Sequence, residues 1–276
     1  MDKIRLIASD MDATLLDEQS QLPAGFEETI HALAELGIRF APASGRPLYT
    51  LEAMFPTLQD ELVFIGDNGG AIRWKGQNLF TSEMSPEGWR ALNRLTREQG
   101  DIAVLCGLES AYVERPFAVH DAVLRHFYTK IEYVDRLEDV AAPADKFTIY
   151  LPQHNAQQAY DTVYASQRSI YSVAVAGECW VDIMNPGVHK GAALQTLGQL
   201  WGLPSESMMA FGDTYNDAEM LRTAKYGFLM ENGSEPLRQK VPFLAPSHRE
   251  AGVMQVLHRV LAQNGCVCPE DFVPAH

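Results

Sequence analysis

The sequence predicts an α/β fold: an open, mostly parallel sheet assembled from both ends of the chain, with a separate α+β unit inserted between them. Three observations carry this. Apolar strand patterns alternate with helical patterns as far as Ser82, the texture changes near Met84 to short strands suited to antiparallel pairing, and the alternation returns at about Lys190.

The elements follow in order. An apolar strand over Ile4 to Ser9 runs into Asp10-Met11-Asp12-Ala13-Thr14. Phe26, Ile30, Leu33 and Ala34 then fall at helical spacing, and Gly37 marks the helix end. A second strand, Ile38 to Ala43, leads into Ser44-Gly45-Arg46-Pro47, where Pro47 suits the first turn of a helix. A third, Leu62 to Ile65, leads into Gly66-Asp67-Asn68-Gly69-Gly70, and a hairpin is expected over Ala71 to Ser82. The insertion opens with a helix around Trp89 to Gln99, continues with strands at Ile102 to Leu105 and Ala111 to Glu114, and closes with adjacent strands at Ile170 to Val175 and Glu178 to Met184. Beyond it come a helix from Lys190 to Trp201, a strand from Met208 to Phe211 running into Gly212-Asp213-Thr214-Tyr215-Asn216-Asp217, and an amphipathic stripe of Val253, Val256, Leu257, Val260 and Leu261. Residues after Gly265 read as a loose tail. The expected division is 1–83 with 185–276 as one unit and 84–184 as the other.

Composition narrows the function. A chain of 276 residues with a formal charge of -14 and no Lys/Arg cluster lacks the basic face that nucleic-acid binding needs. No apolar run approaches the roughly 20 residues required to span a bilayer, and charged Asp2, Lys3 and Arg5 at the start do not form a signal peptide, so a cytoplasmic protein is expected. The four cysteines do not form a disulfide framework: Cys106 and Cys179 sit in apolar contexts, and Cys266 and Cys268 form an isolated pair. In so acidic a chain, any anionic ligand needs a metal ion and a few well-placed cations.

The residues suited to chemistry sit at the ends of strands, where open α/β sheets keep their ligands. Asp10 and Asp12 are one residue apart, a spacing that in an extended segment turns both carboxylates the same way. One such carboxylate is a competent nucleophile toward phosphorus and the other a general acid and base. Ser44, with the backbone N–H groups around Gly45, is placed to bind a phosphoryl oxygen, and Lys190 at a helix start is placed to bind one as a point charge. Asp213 and Asp217 supply the hard oxygens that suit Mg²⁺. Alone, each has an ordinary alternative as a helix cap, a turn or a solvated surface group.

Taken together, the order Asp-x-Asp-x-Thr, Ser, Lys, Gly-Asp-x-x-Asn-Asp resembles the haloacid dehalogenase superfamily of phosphohydrolases. The insertion between the Ser and Lys motifs resembles that of its Cof-type (IIB) branch, in which a mobile α/β cap occupies this place. The resemblance implies a Rossmann-like core and a cap that selects a small phosphorylated metabolite, with a sugar phosphate or related compound expected. It also implies Asp10 as the nucleophile that forms an aspartyl-phosphate and Asp12 as the acid and base. Ser44, Gly45, Lys190 and Asn216 would hold the phosphoryl group. Mg²⁺ would be bound by Asp10, the Asp12 backbone carbonyl and Asp213, with Asp217 in or beside its ligand set. Arg46 and Asn68, on loops at the same sheet edge, are candidate contacts to substrate or cap.

The sequence departs from the family at Ala13, where a glycine usually stands; a methyl group there disfavours a positive φ. Two rival readings share the scaffold: a phosphotransferase or phosphosugar mutase, and a catalytically silent module that binds a phosphorylated metabolite. In the insertion, Glu178, Trp180 and Asp182 alternate along a strand, which would turn them together either toward the core or along a half-buried sheet face.

Overall fold

The computed structural model describes residues 1–276. Two sheets organise the chain. The larger has nine strands, and its parallel part runs in the order Phe243–Ala245, Tyr226–Met230, Met208–Gly212, Leu6–Asp10, Arg39–Ala43, Val63–Gly66. Antiparallel strands finish both edges: the expected hairpin, Ala71–Trp74 with Gln77–Thr81, on one side and Val273–Pro274 on the other.

Successive residues of each strand serve opposite faces of the sheet. Ile7, Phe40, Phe64 and Phe211 join one apolar cluster with the helices Phe26–Glu35 and Gly252–Ala262, whereas Leu6, Ala8, Ala41 and Ala210 join another with the helices Lys190–Trp201 and Ala218–Thr223. Helices therefore cover both faces, and the polar ends of the strands are left as the open edge. Leu6–Asp10 lies where the strand order reverses: the chain moves to one side of it through Arg39–Ala43 and returns on the other side through Met208–Gly212. The crevice beyond that switch point is where such sheets bind ligands.

The second sheet has six strands in the order Ser172–Val175, Trp180–Met184, Ala144–Tyr150, Ile102–Gly107, Ala111–Glu114, Ile131–Val134. All its pairs are antiparallel except the last. The helices Pro86–Gln99 and Ala156–Asp161 pack on one face with Phe147, Ile149 and Val181. On the other face lie Val104, Cys106, Tyr150 and Trp180, with the helix Asp121–Phe127 beside them. The chain crosses between the sheets twice at one place, where the Asn185 amide donates to the carbonyls of Ser82 and Glu83 at 3.2 and 2.8 Å.

Two local expectations are corrected. The residues after Gly265 are not loose: Cys266–Val267 pairs with Asp2–Lys3, and Val273–Pro274 pairs with the edge strand Phe243–Ala245. Backbone hydrogen-bonding groups on that edge strand would otherwise stand open, and short terminal segments close them. Pro47 precedes its helix, Leu48–Ala53, as the capping residue in extended conformation and is not part of the first turn.

Candidate active site

The strand Leu6–Asp10 ends at Asp10, so the alternation that would align Asp10 with Asp12 stops between them. The chain then turns sharply through Ala13, whose φ of 57° and ψ of 14° are left-handed. Asn232 holds this turn by donating to the Ala13 carbonyl at 2.8 Å. Asp10 points inward and is 8% exposed. Asp12 points outward, its side chain 59% exposed, and its Oδ1 accepts from Arg46 at 2.9 Å.

Lys190, fully buried, donates to Asp10 and, at 2.7 Å, to Asp217 Oδ1. It sits at the N-terminus of its helix, where the neighbouring His189 serves as the cap: Nδ1 accepts from the Ala192 N–H at 3.1 Å. The second oxygen of Asp217 accepts the backbone N–H groups of Asp213 and Thr214 at 3.0 and 3.1 Å, which ties the loop after Met208–Gly212 into a tight turn. Gly212 permits this closeness, since a Cβ there would lie 2.4 Å from that of Asp217. Asp213 accepts from Thr14 at 3.4 Å. Carboxylate oxygens of Asp10, Asp213 and Asp217 all lie within 4.8 Å of one another.

The charges in this cluster do not balance, and the carboxyls respond. Burial, with Asp217 and Asp213 adding to it and Lys190 opposing it, pushes Asp10 up to about 7. Burial and then Asp217 push Asp213 up to about 6. Burial works against the Lys190 charge, but Asp10 and Asp217 outweigh it and hold the ammonium above its ordinary value. Three buried carboxyl groups around one ammonium fit a small divalent cation with a preference for oxygen ligands. Asp10 and Asp213 have oxygens to offer it, whereas Asp217 is already committed to Lys190 and to two backbone N–H groups.

Beside the cluster lies a cavity of about 520 Å³ between the two sheets. The larger sheet's loops contribute Asp12, Ser44, Gly45, Arg46, Asn68 and Asn216, the smaller sheet contributes Lys146, Thr148, Trp180 and Asp182, and the helix beside it contributes Phe127. Ser44 is buried, Asn68 stands against Gly45, and the exposed Asn216 accepts from the Thr214 hydroxyl at 2.6 Å. Of the alternating trio in the insertion, Trp180 and Asp182 face this cavity, while the exposed Glu178 lies 3.2 Å from His154. Lys146 and Thr148 were not singled out in the sequence. The signal is the run Ala144-Asp145-Lys146-Phe147-Thr148, in which adjacent opposite charges interrupt an otherwise apolar, fully buried strand.

A two-sheet α/β chain whose buried Asp and Lys cluster opens beside a polar cavity belongs to a known class. The family of haloacid dehalogenase-like hydrolases matches residues 7–257, and the chain is a member of it. Within that family it is a Cof-type phosphatase, as its named relatives are phosphatases too. It is 32% identical over 262 residues to the 5-amino-6-(5-phospho-D-ribitylamino)uracil phosphatase YbjI of Escherichia coli, covering 94% of this chain and 96% of the relative. It is 31% identical over 249 residues to the HMP-PP phosphatase of Cronobacter sakazakii, covering 87% and 89%. Among solved structures, SMU.1108c of Streptococcus mutans superposes with a TM-score of 0.84 at 29% identity, covering 94% of this chain and 99% of that one. No helix is long and apolar enough to cross a membrane.

Proposed function

We propose that the chain is a Mg²⁺-dependent phosphohydrolase of small phosphate monoesters that works through an aspartyl-phosphate on Asp10. The observation that carries this reading is the buried cluster of Asp10, Asp213 and Asp217 around the single ammonium of Lys190. Such a cluster supports one reacting carboxylate and one cation site beside the cavity.

In this reading an Asp10 oxygen attacks phosphorus and the ester oxygen departs, taking a proton from Asp12. Water then attacks phosphorus, Asp12 takes a proton from it, and the bond from phosphorus to Asp10 breaks, which restores both carboxyl groups. The Arg46 contact holds the Asp12 side chain at the cavity wall, where both proton transfers take place. Ser44, the Gly45 backbone and Lys190 hold the phosphoryl oxygens, and Asn216 orients them from the facing loop. Asp10, the Asp12 carbonyl and Asp213 would hold Mg²⁺, with Asp217 fixing Lys190 and the Asp213 loop behind them. The ion, when bound, supplies positive charge where the phosphoryl group would otherwise meet an acidic site.

Residues 84–184 act as a cap over the core formed by 1–83 and 185–276, excluding water and choosing the leaving group. Trp180 and Phe127, with ring centroids 5.0 Å apart, give the cap side an aromatic wall, and Asp182 and Thr148 give it a polar edge. This supports a metabolite carrying both a flat or apolar portion and hydroxyl groups. The phosphorylated ribitylamino-uracil in the name of the Escherichia coli relative has that mixed character.

The test is phosphate release from an aryl phosphate and a panel of phosphorylated metabolites, with Mg²⁺ and with EDTA, in the wild type and in Asp10→Asn. Release that needs metal and is lost in the variant is expected. Release that persists undiminished in Asp10→Asn would overturn the assignment of the nucleophile.

A further inference from the structure

Lys146 belongs to the insertion, yet its ammonium reaches into the other unit. The register between Ala144–Tyr150 and Ile102–Gly107 shifts between Ala144 and Lys146, a bulge that breaks the strict alternation of the strand. Two consecutive side chains consequently reach the core: Asp145 lies against Gly70, and Lys146 donates to the Gly45 carbonyl at 2.7 Å and pairs with Asp67 at 2.8 Å. A second charged neighbour, Asp182, is 3.6 Å away on the adjoining strand. The Lys146 side chain is only 3% exposed. Burial disfavours its charge, but Asp182 and Asp67 more than restore it.

The bond to Gly45 matters because of what lies on the other side of that peptide. The Gly45 carbonyl and the Arg46 N–H belong to one planar unit. The carbonyl accepts from Lys146, and the N–H donates to Ser44 Oγ at 3.2 Å. One peptide is thus gripped at its two ends by a lysine of the insertion and a serine of the core. The neighbouring loop is tied in as well, since Asp67 N donates to the Arg46 carbonyl and Asn68 N to the Ser44 carbonyl, each at 2.9 Å. Gly45 has no side chain to limit rotation of this peptide, so its plane depends on those bonds.

We propose that Lys146 is a positioning residue for phosphoryl binding: the seated insertion, through Lys146, sets the Gly45–Arg46 peptide and so orients Ser44. The phosphate site is then complete only when the two units are docked. This inference rests on the phosphatase reading of the site.

Lys146→Met removes the bond but strands a buried negative charge, so the double variant K146M/D67N, which removes the cation and its nearest anion together, is made beside it. Lys146→Gln, a neutral donor of shorter reach, supplies the same comparison if neither folds. The probe is inorganic phosphate with Mg²⁺, its affinity read by thermal shift and by product inhibition of 4-nitrophenyl phosphate turnover. Phosphate affinity and kcat/KM are expected to fall about tenfold to a hundredfold, the range for a misplaced site group. The ligand-free melting temperature of the double variant, in which only Asp182 loses its cation, is expected to lie above that of Lys146→Met. In a Ser44→Ala background the Lys146 substitution should cost little more, because both act through one peptide. Unchanged phosphate affinity in a folded variant, or full additivity with Ser44→Ala, overturns the proposal while leaving the phosphatase reading in place. A wild type that neither binds nor releases phosphate overturns both.

Discussion

Replacing Ala13 with glycine should make this protein more stable. Ala13 occupies φ 57°, ψ 14°, in the turn that leads from Asp10 past Asp12. An L-residue with a Cβ pays about 1–2 kcal/mol to adopt that region, and glycine does not. Against this stands the greater freedom glycine gives the unfolded chain, about 0.4–1 kcal/mol. The net expectation is a gain of about 1 kcal/mol, or about 2 °C in melting temperature for a chain of this size. The Asn232 bond to the Ala13 carbonyl involves only backbone at residue 13 and survives the change. Urea unfolding and thermal melts of Ala13→Gly measure the effect. Ala32→Gly in the helix Phe26–Glu35, where glycine costs about 1 kcal/mol, gives the opposite sign and serves as the control. An Ala13→Gly protein no more stable than the wild type would refute the claim that this turn is strained.

Three other outcomes are expected. Lys190→Met leaves Asp10 and Asp217 buried without their cation and should destabilise the fold by about 3–5 kcal/mol in urea titrations. Mg²⁺ added to the metal-free protein should raise its melting temperature, by the equivalent of about 2.7 kcal/mol at a hundredfold excess over Kd, and Asp213→Asn should lose most of that rise. Burial, and then Asp67, hold the Asp145 carboxyl well above the usual range, so the folded protein keeps a proton that the unfolded chain gives up near pH 4. Stability from this group is therefore full below about pH 4 and declines as pH rises above it; Asp145→Asn, which mimics the neutral acid, should lose less stability between pH 5 and pH 8 than the wild type.

Much of the core was legible because its signals are local. Apolar runs ending in Asp10, Ser44 and Asp213 each form a strand followed by a turn, and parallel pairing brings those turns to one edge whatever lies between them. The pairing of Lys190 with Asp10 and Asp217 joins residues far apart in the chain, and only their order hinted at it. The outward turn of Asp12 was not legible, because spacing along an extended strand says nothing once the strand ends. Lys146 escaped for a different reason: a bulge depends on the partner strand as well as on the residues that form it. The terminal residues looked loose because two-residue strands leave almost no periodic trace.

The two crossings at Ser82, Glu83 and Asn185 bear on how the chain folds. The central neighbours of the large sheet, Leu6–Asp10 and Met208–Gly212, are joined only through nearly the whole intervening sequence, and pairing them in an unstructured chain requires closing that long loop. Residues 84–184 enter and leave at adjacent points, so once they have folded the two halves of the core are already side by side. The smaller sheet then shortens the search that builds the larger one, and its early folding would speed assembly of that sheet.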